Sequence, residues 1–589
     1  MKKAVEPLAV TFFFTFLTII FFLPIVLDLN RVLISFPSFA ASTDYGQSIW
    51  NFWWTKKALT DPNAHFYFTD RMFYPAARTS LVFCTMSFYN SFLAVFLMYF
   101  LNPVKAYNLL FLSTFIFTGV FTYYLVKHLT HDKAASLLGG IIFSFCTFHI
   151  YRYWHIDYFT YYWIPVYLVS LYKLKDEGKS RYVFLMAFSL ALACSVHWNE
   201  MLYLFLFSAL FVLFYHKETL TRPFMTRLAL GSILFLVIIS PEAYPLVKAV
   251  ISGSDSYAVP MPNAFDMQLL GRLVNGNIYI WPLWYGYVST ILALAALIFF
   301  RKKDNGRDIY FWGAVTAFFF LMTLGPRLII NNKPYDIIVM PYRVFLHLPI
   351  FSAVRLPERY IVMVQMGIAC LASLAVSGIA RRKRLRFVYY AAILLVLLEM
   401  SSYIQTRWSE IKTPRFYREM AADKGNYAVV EYPLLYYDGI KLFYQTVHNK
   451  KLVNGYVSHP QSIPKESLAF IQSHPLLDAM SKPFSDCNLT GDQVRADARA
   501  LGDKFGVRYL IINKETQYPG PAEIWDFEPG AASPGCKFSP WNLKDLLDLK
   551  WDINKVANNK SGLPGLIRKS LGKPYYEDDE LEVYKLASR

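Results

Sequence analysis

Apolar stretches of about 20 residues, parted by short basic clusters, recur along this chain from Leu8 to Met400. A helix of that length crosses a hydrocarbon core of about 30 Å. In lipid every backbone N–H and C=O needs a partner within the chain, and a helix supplies these by itself. Membrane barrels instead alternate apolar and polar residues in shorter segments, a pattern absent here. Composition agrees. Charged residues make up 17% of the 589, against about 25% in soluble domains. The sequence therefore predicts an α-helical polytopic membrane protein.

Basic clusters set the expected orientation, because Lys and Arg are retained on the cytoplasmic side. The strongest are Lys173–Arg181, Arg301–Arg307 and Arg381–Arg386; Lys127–Lys133 and Lys217–Arg227 are weaker. With these and Lys2 and Lys3 inside, about 11 transmembrane helices alternate correctly. They fall near 8–27, 106–126, 134–150, 158–173, 182–196, 200–215, 228–246, 282–300, 308–325, 360–380 and 387–404. The apolar run Leu8–Leu27 exceeds most signal-peptide cores and reads as a retained first helix, with Phe39-Ala40-Ala41 leaving cleavage open. The N-terminus is then cytoplasmic in an inner (plasma) membrane, and the C-terminal part extracytoplasmic.

The parity requires Leu81–Leu101 to lie in the interface, or to re-enter, within a long first outer loop, 28–105. Trp50, Trp53, Trp54, Tyr67, Phe68, Phe73 and Tyr74 in that loop suit the headgroup level. The alternative is that 81–101 spans and another stretch does not. The formal charge of +17 does not mark a nucleic-acid binder, since the cations sit between apolar blocks rather than along a soluble module.

The division that follows is a transmembrane domain, 1–404, and an extracytoplasmic α/β domain, 405–589. Tyr427–Tyr432, Val507–Ile512 and Leu581–Leu586 read as strands and Asp492–Phe505 as a helix. Tyr444–His448 with Asn454-Gly455-Tyr456 reads as a strand and turn, or as a glycan-contacting surface. Cys487 and Cys536 are placed to pair if that domain is outside. The other four cysteines lie in or beside apolar segments as small core residues.

Outer positions collect the chemically able residues: Asp44, Tyr151–Tyr158, His197–Glu200, the loop 247–281 and the stretch 326–359. That last stretch carries Arg327, Lys333, Arg343, Arg355 and Arg359 where the charge rule disfavours cations. Such placement suits an anion.

Several short motifs together resemble the GT-C superfamily, membrane glycosyltransferases that use polyprenyl-phosphate-linked sugars. They are Thr43–Trp54 (TDYGQSIWNFWW), Ala106–Leu110, Tyr151–Asp157 followed by Trp163-Ile164-Pro165, Val354–Tyr360 (VRLPERY) and Tyr444–Ser458. The likeness is to a largely uncharacterised bacterial GT-C-like subgroup and spans most of the chain. Two departures stand out. Many members place two adjacent acids in the first loop, where this chain has Asp44 between Thr43 and Tyr45. The second loop offers His155-Ile156-Asp157 where some members carry a metal-binding acidic pair, so a divalent cation is the one cofactor left open.

What the resemblance implies is an inverting transfer of sugar from a lipid-linked donor to a glycan, lipid or protein acceptor at the outer face. Such a transfer needs a base for the acceptor hydroxyl and guanidinium groups for the leaving phosphate. Asp44 is cast as base, and Arg355 and Arg359, with Arg343 as a third candidate, as phosphate ligands. Asp157 and His155 position sugar or acceptor, and Trp50 and Trp54 line the substrate site. Helix capping by Asp44 and local ion pairing by Arg355, Glu358 and Arg359 are the structural alternatives. A flippase for lipid-linked glycans and a non-catalytic envelope scaffold are the other function classes; the polar groups gather at one face rather than mid-membrane, unlike a transporter.

Overall fold

The computed structural model describes residues 2–35, 43–76, 78–151, 156–252, 266–267, 272–274, 277–279, 286–300, 306–330, 333–335, 340–348, 357–380, 387–403, 407–434, 439–457, 463–482, 489–514 and 562–586. His155, Arg355, Cys487 and Cys536 lie outside them.

Helix α1 (Lys2–Phe21) leads through a short strand β1 (Val32–Ser35) into α2 (Thr43–Thr60) and α3 (Phe88–Leu97). Then come α4 (Pro103–Thr130), α5 (Lys133–Ser144), α6 (Trp163–Glu177), α7 (Ser180–Val196), α8 (Trp198–Phe214) and α9 (Arg222–Ser252). The helical part closes with α10 (Tyr287–Ala295), α11 (Gly306–Thr323), α12 (Ile361–Ala380) and α13 (Phe387–Tyr403). Each apolar stretch expected to be helical contains a helix. Pro103–Thr130, Arg222–Ser252 and Pro357–Ile379 are long and apolar enough to cross a membrane by length and composition. Leu81–Leu101 holds only α3, which at 1.5 Å per residue is about 15 Å long and half of what a crossing needs.

Burial follows position in the bundle. α12 is almost wholly enclosed, against α4, α5, α10 and α11. On α9, by contrast, Leu230, Ile233, Leu236 and Val237 are exposed. Apolar surface of this extent is stable only in lipid or under a partner. Two prolines interrupt that exposed helix, and each frees the carbonyl four residues back. The Ser240 hydroxyl takes up the one freed at Val237 (2.9 Å). The Tyr67 hydroxyl takes up the one freed at Pro241 (3.4 Å).

Ion pairs sort the helix ends into two faces. Glu6 meets Lys127 and Lys133, His128 meets Asp176, and Glu218 meets Arg307. These are the positions that the basic clusters marked. Asp44, Asp157, His197 and Glu200 lie at the other ends of their segments.

Beyond β2 (Arg407–Glu410) and α14 (Arg415–Ala422) a mixed five-stranded sheet forms. Its β3 (Ala428–Tyr432) is followed by α15 (Gly439–His448) and a parallel neighbour, β4 (Lys451–Leu452). After α16 (Gly491–Phe505), β5 (Val507–Asn513) pairs in parallel on the other side of β3. The last strands, β6 (Tyr576–Glu577) and β7 (Leu581–Lys585), close the order β4-β3-β5-β7-β6 with antiparallel pairs. Strands β3, β5 and β7 and helix α16 match the expected elements. Tyr444–His448 does not: it is the last turn of α15, with Leu442, Phe443, Gln445 and His448 turned inward.

The sheet domain is joined to the helical part at several places. β2 pairs antiparallel with β1, from Val32↔Glu410 to Ser35↔Arg407. The first loop adds backbone bonds of its own: Leu452 N to Arg71 O (2.8 Å), Tyr74 N to Leu452 O (2.9 Å) and Phe73 N to Asn454 O (3.1 Å). Between these, α15 packs directly on α2. Gly46 and Gly439 permit that approach, since a Cβ on Gly46 would lie 1.7 Å from the Gly439 carbonyl oxygen.

Candidate active site

Helix α2 carries Asp44 in its first turn, where a carboxylate is favoured by the positive end of the helix dipole. One face of α2 meets the membrane part: the rings of Tyr45 and Tyr107 are 5.3 Å apart, those of Phe52 and Tyr107 6.2 Å. The other face meets the sheet domain. Trp50 donates its indole N–H to Gln445 Oε1 (2.7 Å) and stacks on Trp54 at 5.5 Å. Trp54 donates to the His65 carbonyl (3.2 Å). Both indoles are buried and engaged by protein.

The Asp44 side chain receives a hydrogen bond from the sheet domain. The Tyr456 hydroxyl donates to Oδ1 at 2.7 Å. Tyr456 follows Gly455, whose backbone lies so close to the first loop that a Cβ would fall 2.7 Å from Met72 Cβ.

Asp157 stands beyond Tyr107. The Tyr107 hydroxyl is close enough to both Asp44 and Asp157 to feel the charge of each. Asp157 is buried on a short helical turn, Ile156–Phe159. That turn is held by Asn90 of α3, whose amide donates to Thr160 Oγ1 (3.1 Å) and to the Ile156 carbonyl (3.4 Å). His197 faces Asp157, with Nε2 3.8 Å from Oδ2. Its Nδ1 accepts from Asn199 N (3.1 Å) as the N-cap of α8. A neutral ring would thus carry its proton on Nε2, towards the carboxylate.

Glu200, in the first turn of α8, is 2% exposed, and neither carboxylate oxygen has a hydrogen-bond partner among the described residues. It lies within electrostatic reach of Asp157. The sequence places His197–Glu200 among the outer positions without a role for either residue. The signal that could have found them is their place at the same face as Asp157. The Tyr67 hydroxyl on the Pro241 carbonyl (3.4 Å) sets the first loop against α9, and burial and then the Glu242 carboxylate push that phenol up to about 12.

The basic side is less gathered. Arg343 is exposed on the turn Pro341–Phe345, and Arg359 is half-buried on Pro357–Tyr360. Tyr342 and Tyr360 pack these turns together at 6.2 Å, and Tyr360 reaches Tyr203 at 5.0 Å. Tyr203 lies one helical turn after Glu200, so the Arg359 segment borders the acidic pocket. Among the described residues no three His, Cys, Asp or Glu side chains converge as a metal site would need. Asp157 and His197 supply two donors 3.8 Å apart; His155, the other donor that the sequence offers, lies outside the described residues.

No family model and no curated protein matches the chain. Among solved structures it is similar to an Archaeoglobus fulgidus oligosaccharyltransferase tethered with an acceptor peptide. The TM-score is 0.45 at 11% identity, covering 87% of this chain and 69% of that one. It is also similar to ArnT from Cupriavidus metallidurans bound to undecaprenyl phosphate. There the TM-score is 0.43 at 11% identity, with 87% and 94% covered. At such scores neither likeness carries an argument about activity.

Proposed function

We propose that the chain is a GT-C-type inverting glycosyltransferase, moving a sugar from a polyprenyl-phosphate donor to an acceptor hydroxyl at the outer face of the membrane. The observation that carries this reading is that Asp44, bonded by Tyr456 at 2.7 Å and next to Tyr45 on the Tyr107 ring, lies with Asp157 within electrostatic reach of the same Tyr107 phenol. Asp44 takes the acceptor proton as the acceptor oxygen attacks the anomeric carbon. The bond from that carbon to the phosphate oxygen breaks on the opposite side, and the leaving phosphate goes to Arg359, with Arg355 and Arg343 as further ligands. Asp157 orients the hydroxyls of sugar or acceptor. A nucleophile-free displacement of this kind inverts the anomeric centre.

The same reading places residues 1–404 across the membrane about 11 times, with the N-terminus cytoplasmic and 405–589 outside. Acceptors compatible with it are a glycan, a lipid or a protein. The test is transfer from radiolabelled polyprenyl-phosphate sugars by purified protein in nanodiscs, wild type against Asp44→Asn. Loss of a general base costs about 10²–10⁴-fold. A variant that keeps near-normal turnover would remove Asp44 from the mechanism, and transfer by neither folded protein would remove the reaction.

A further inference from the structure

The geometry points to Tyr456, a residue of the sheet domain, as the positioning residue that sets the orientation and acidity of Asp44, so that the outer domain is a working part of the site. The inference rests on the reading of Asp44 as the base.

Three observations carry it. The hydroxyl donates to Asp44 Oδ1 at 2.7 Å, across 412 positions of sequence. A hydrogen bond to a carboxylate favours its charged form and fixes its plane. Next, Tyr456 has little freedom. The segment before it is bonded through Leu452 and Asn454 to Arg71, Phe73 and Tyr74, and Gly455 lies against Met72 and Phe73. Lastly, Asp44 itself is held by contacts of its neighbours on both sides of the seam. Its neighbour Tyr45 is buried on Tyr107, and Gly46 abuts Gly439. Donor and acceptor are each anchored by backbone contacts, so the bond is imposed by the fold rather than chosen by two mobile side chains.

A base that is held in this way has its Oδ1 directed by the protein, which sets the plane of the carboxylate. Removing the phenol oxygen leaves packing nearly unchanged but takes away a bond that favours the charged carboxylate and so makes it easier to protonate.

The experiment uses the full chain in nanodiscs and two readouts. Infrared titration of the Asp44 carboxylate, taken as the difference between wild type and Asp44→Asn, reports ionisation without any need for turnover. In Tyr456→Phe its midpoint is expected to move up by about one pH unit, the equivalent of one hydrogen bond to a charged group. Replacing Tyr456 by 3,5-difluorotyrosine, a stronger donor of the same shape, moves it down and guards against a folding artefact. In the transfer assay, Tyr456→Phe lowers kcat about tenfold, leaves the donor KM within twofold, and shifts the acidic limb of the rate profile upward with the midpoint.

An unmoved midpoint in both variants overturns the inference, as does a KM rise with kcat and profile intact. A shifted midpoint in a protein that transfers no sugar keeps Tyr456 as the residue controlling Asp44 and discards the glycosyl-transfer reading instead.

Discussion

Two acids near the candidate site are housed in opposite ways. Asp44 lies in a seam of satisfied groups: Tyr456 bonds its carboxylate, Trp50 bonds Gln445, and Gln445 in turn donates to the Arg71 and Lys450 carbonyls at 2.6 and 2.8 Å. Glu200 lies in a pocket with Asp157 nearby and no hydrogen bond to either oxygen among the described residues. Burying a polar group without a partner costs free energy, and more so for a charge. The seam therefore stabilises the fold, whereas the pocket draws on that stability. A costly acid placed beside the candidate site is what a protein keeps for use on a ligand.

Gly46→Ala should break the seam hardest. With its Cβ 1.7 Å from the Gly439 oxygen, α2 and α15 must separate, at a cost of about 3 kcal/mol. Melting of the purified protein should drop accordingly, and unchanged melting would mean that the two helices are not packed as described. Trp50→Phe is milder. It leaves the Gln445 Oε1 buried without its donor and should cost about 2 kcal/mol; a loss below about 0.5 kcal/mol would show that the seam tolerates an unmade bond.

Glu200→Gln probes the pocket and should act in the opposite sense, leaving stability level or raised by up to about 1 kcal/mol, because no hydrogen bond among the described residues is lost and the cost of ionising a buried acid is gone. Higher stability with slower transfer sharpens the contrast. Lower stability would show that Glu200 is paired after all and would end it.

The smallest effect at neutral pH concerns His448, on the same helix as Gln445. Burial, then the Lys450 charge, push its imidazole from 6.5 down to about 3. The unfolded chain thus binds the proton more readily, so the contribution of His448 to stability is full above about 6.5 and is lost as pH falls towards 3. His448→Asn keeps an acceptor for the Lys450 N–H, which His448 Nδ1 now serves at 3.0 Å, and should flatten acid sensitivity between pH 7 and 4. Unfolding curves that stay parallel in the two proteins would contradict it.

Much of the helical part is legible in the sequence because a hydrocarbon solvent demands long apolar runs, and strands β3, β5 and β7 because β-branched residues cluster at strand length. The end of α15 is not. Tyr444–His448 contains Thr, Val and Tyr, which favour strands locally, while packing on α2 holds it helical. Trp50 and Trp54 carry the composition of a membrane interface, and only the distant Gln445 and the fold of the first loop reveal them as anchors. Asp44 stood out in its motif and in its outer position. Its partner Tyr456 did not, since no local pattern announces a bond between residues 412 positions apart.

The pairing of β1 with β2 (Val32 to Ser35 against Glu410 to Arg407) also orders events in time. During synthesis α2 leaves the ribosome long before the segment that will bond Trp50 and Asp44 has been translated. Until then its buried face has no protein to cover it, and a chain arrested before Tyr456 would be inserted yet unarmed. Any factor that shields the first loop during translation would therefore govern the yield of active protein without touching the finished molecule.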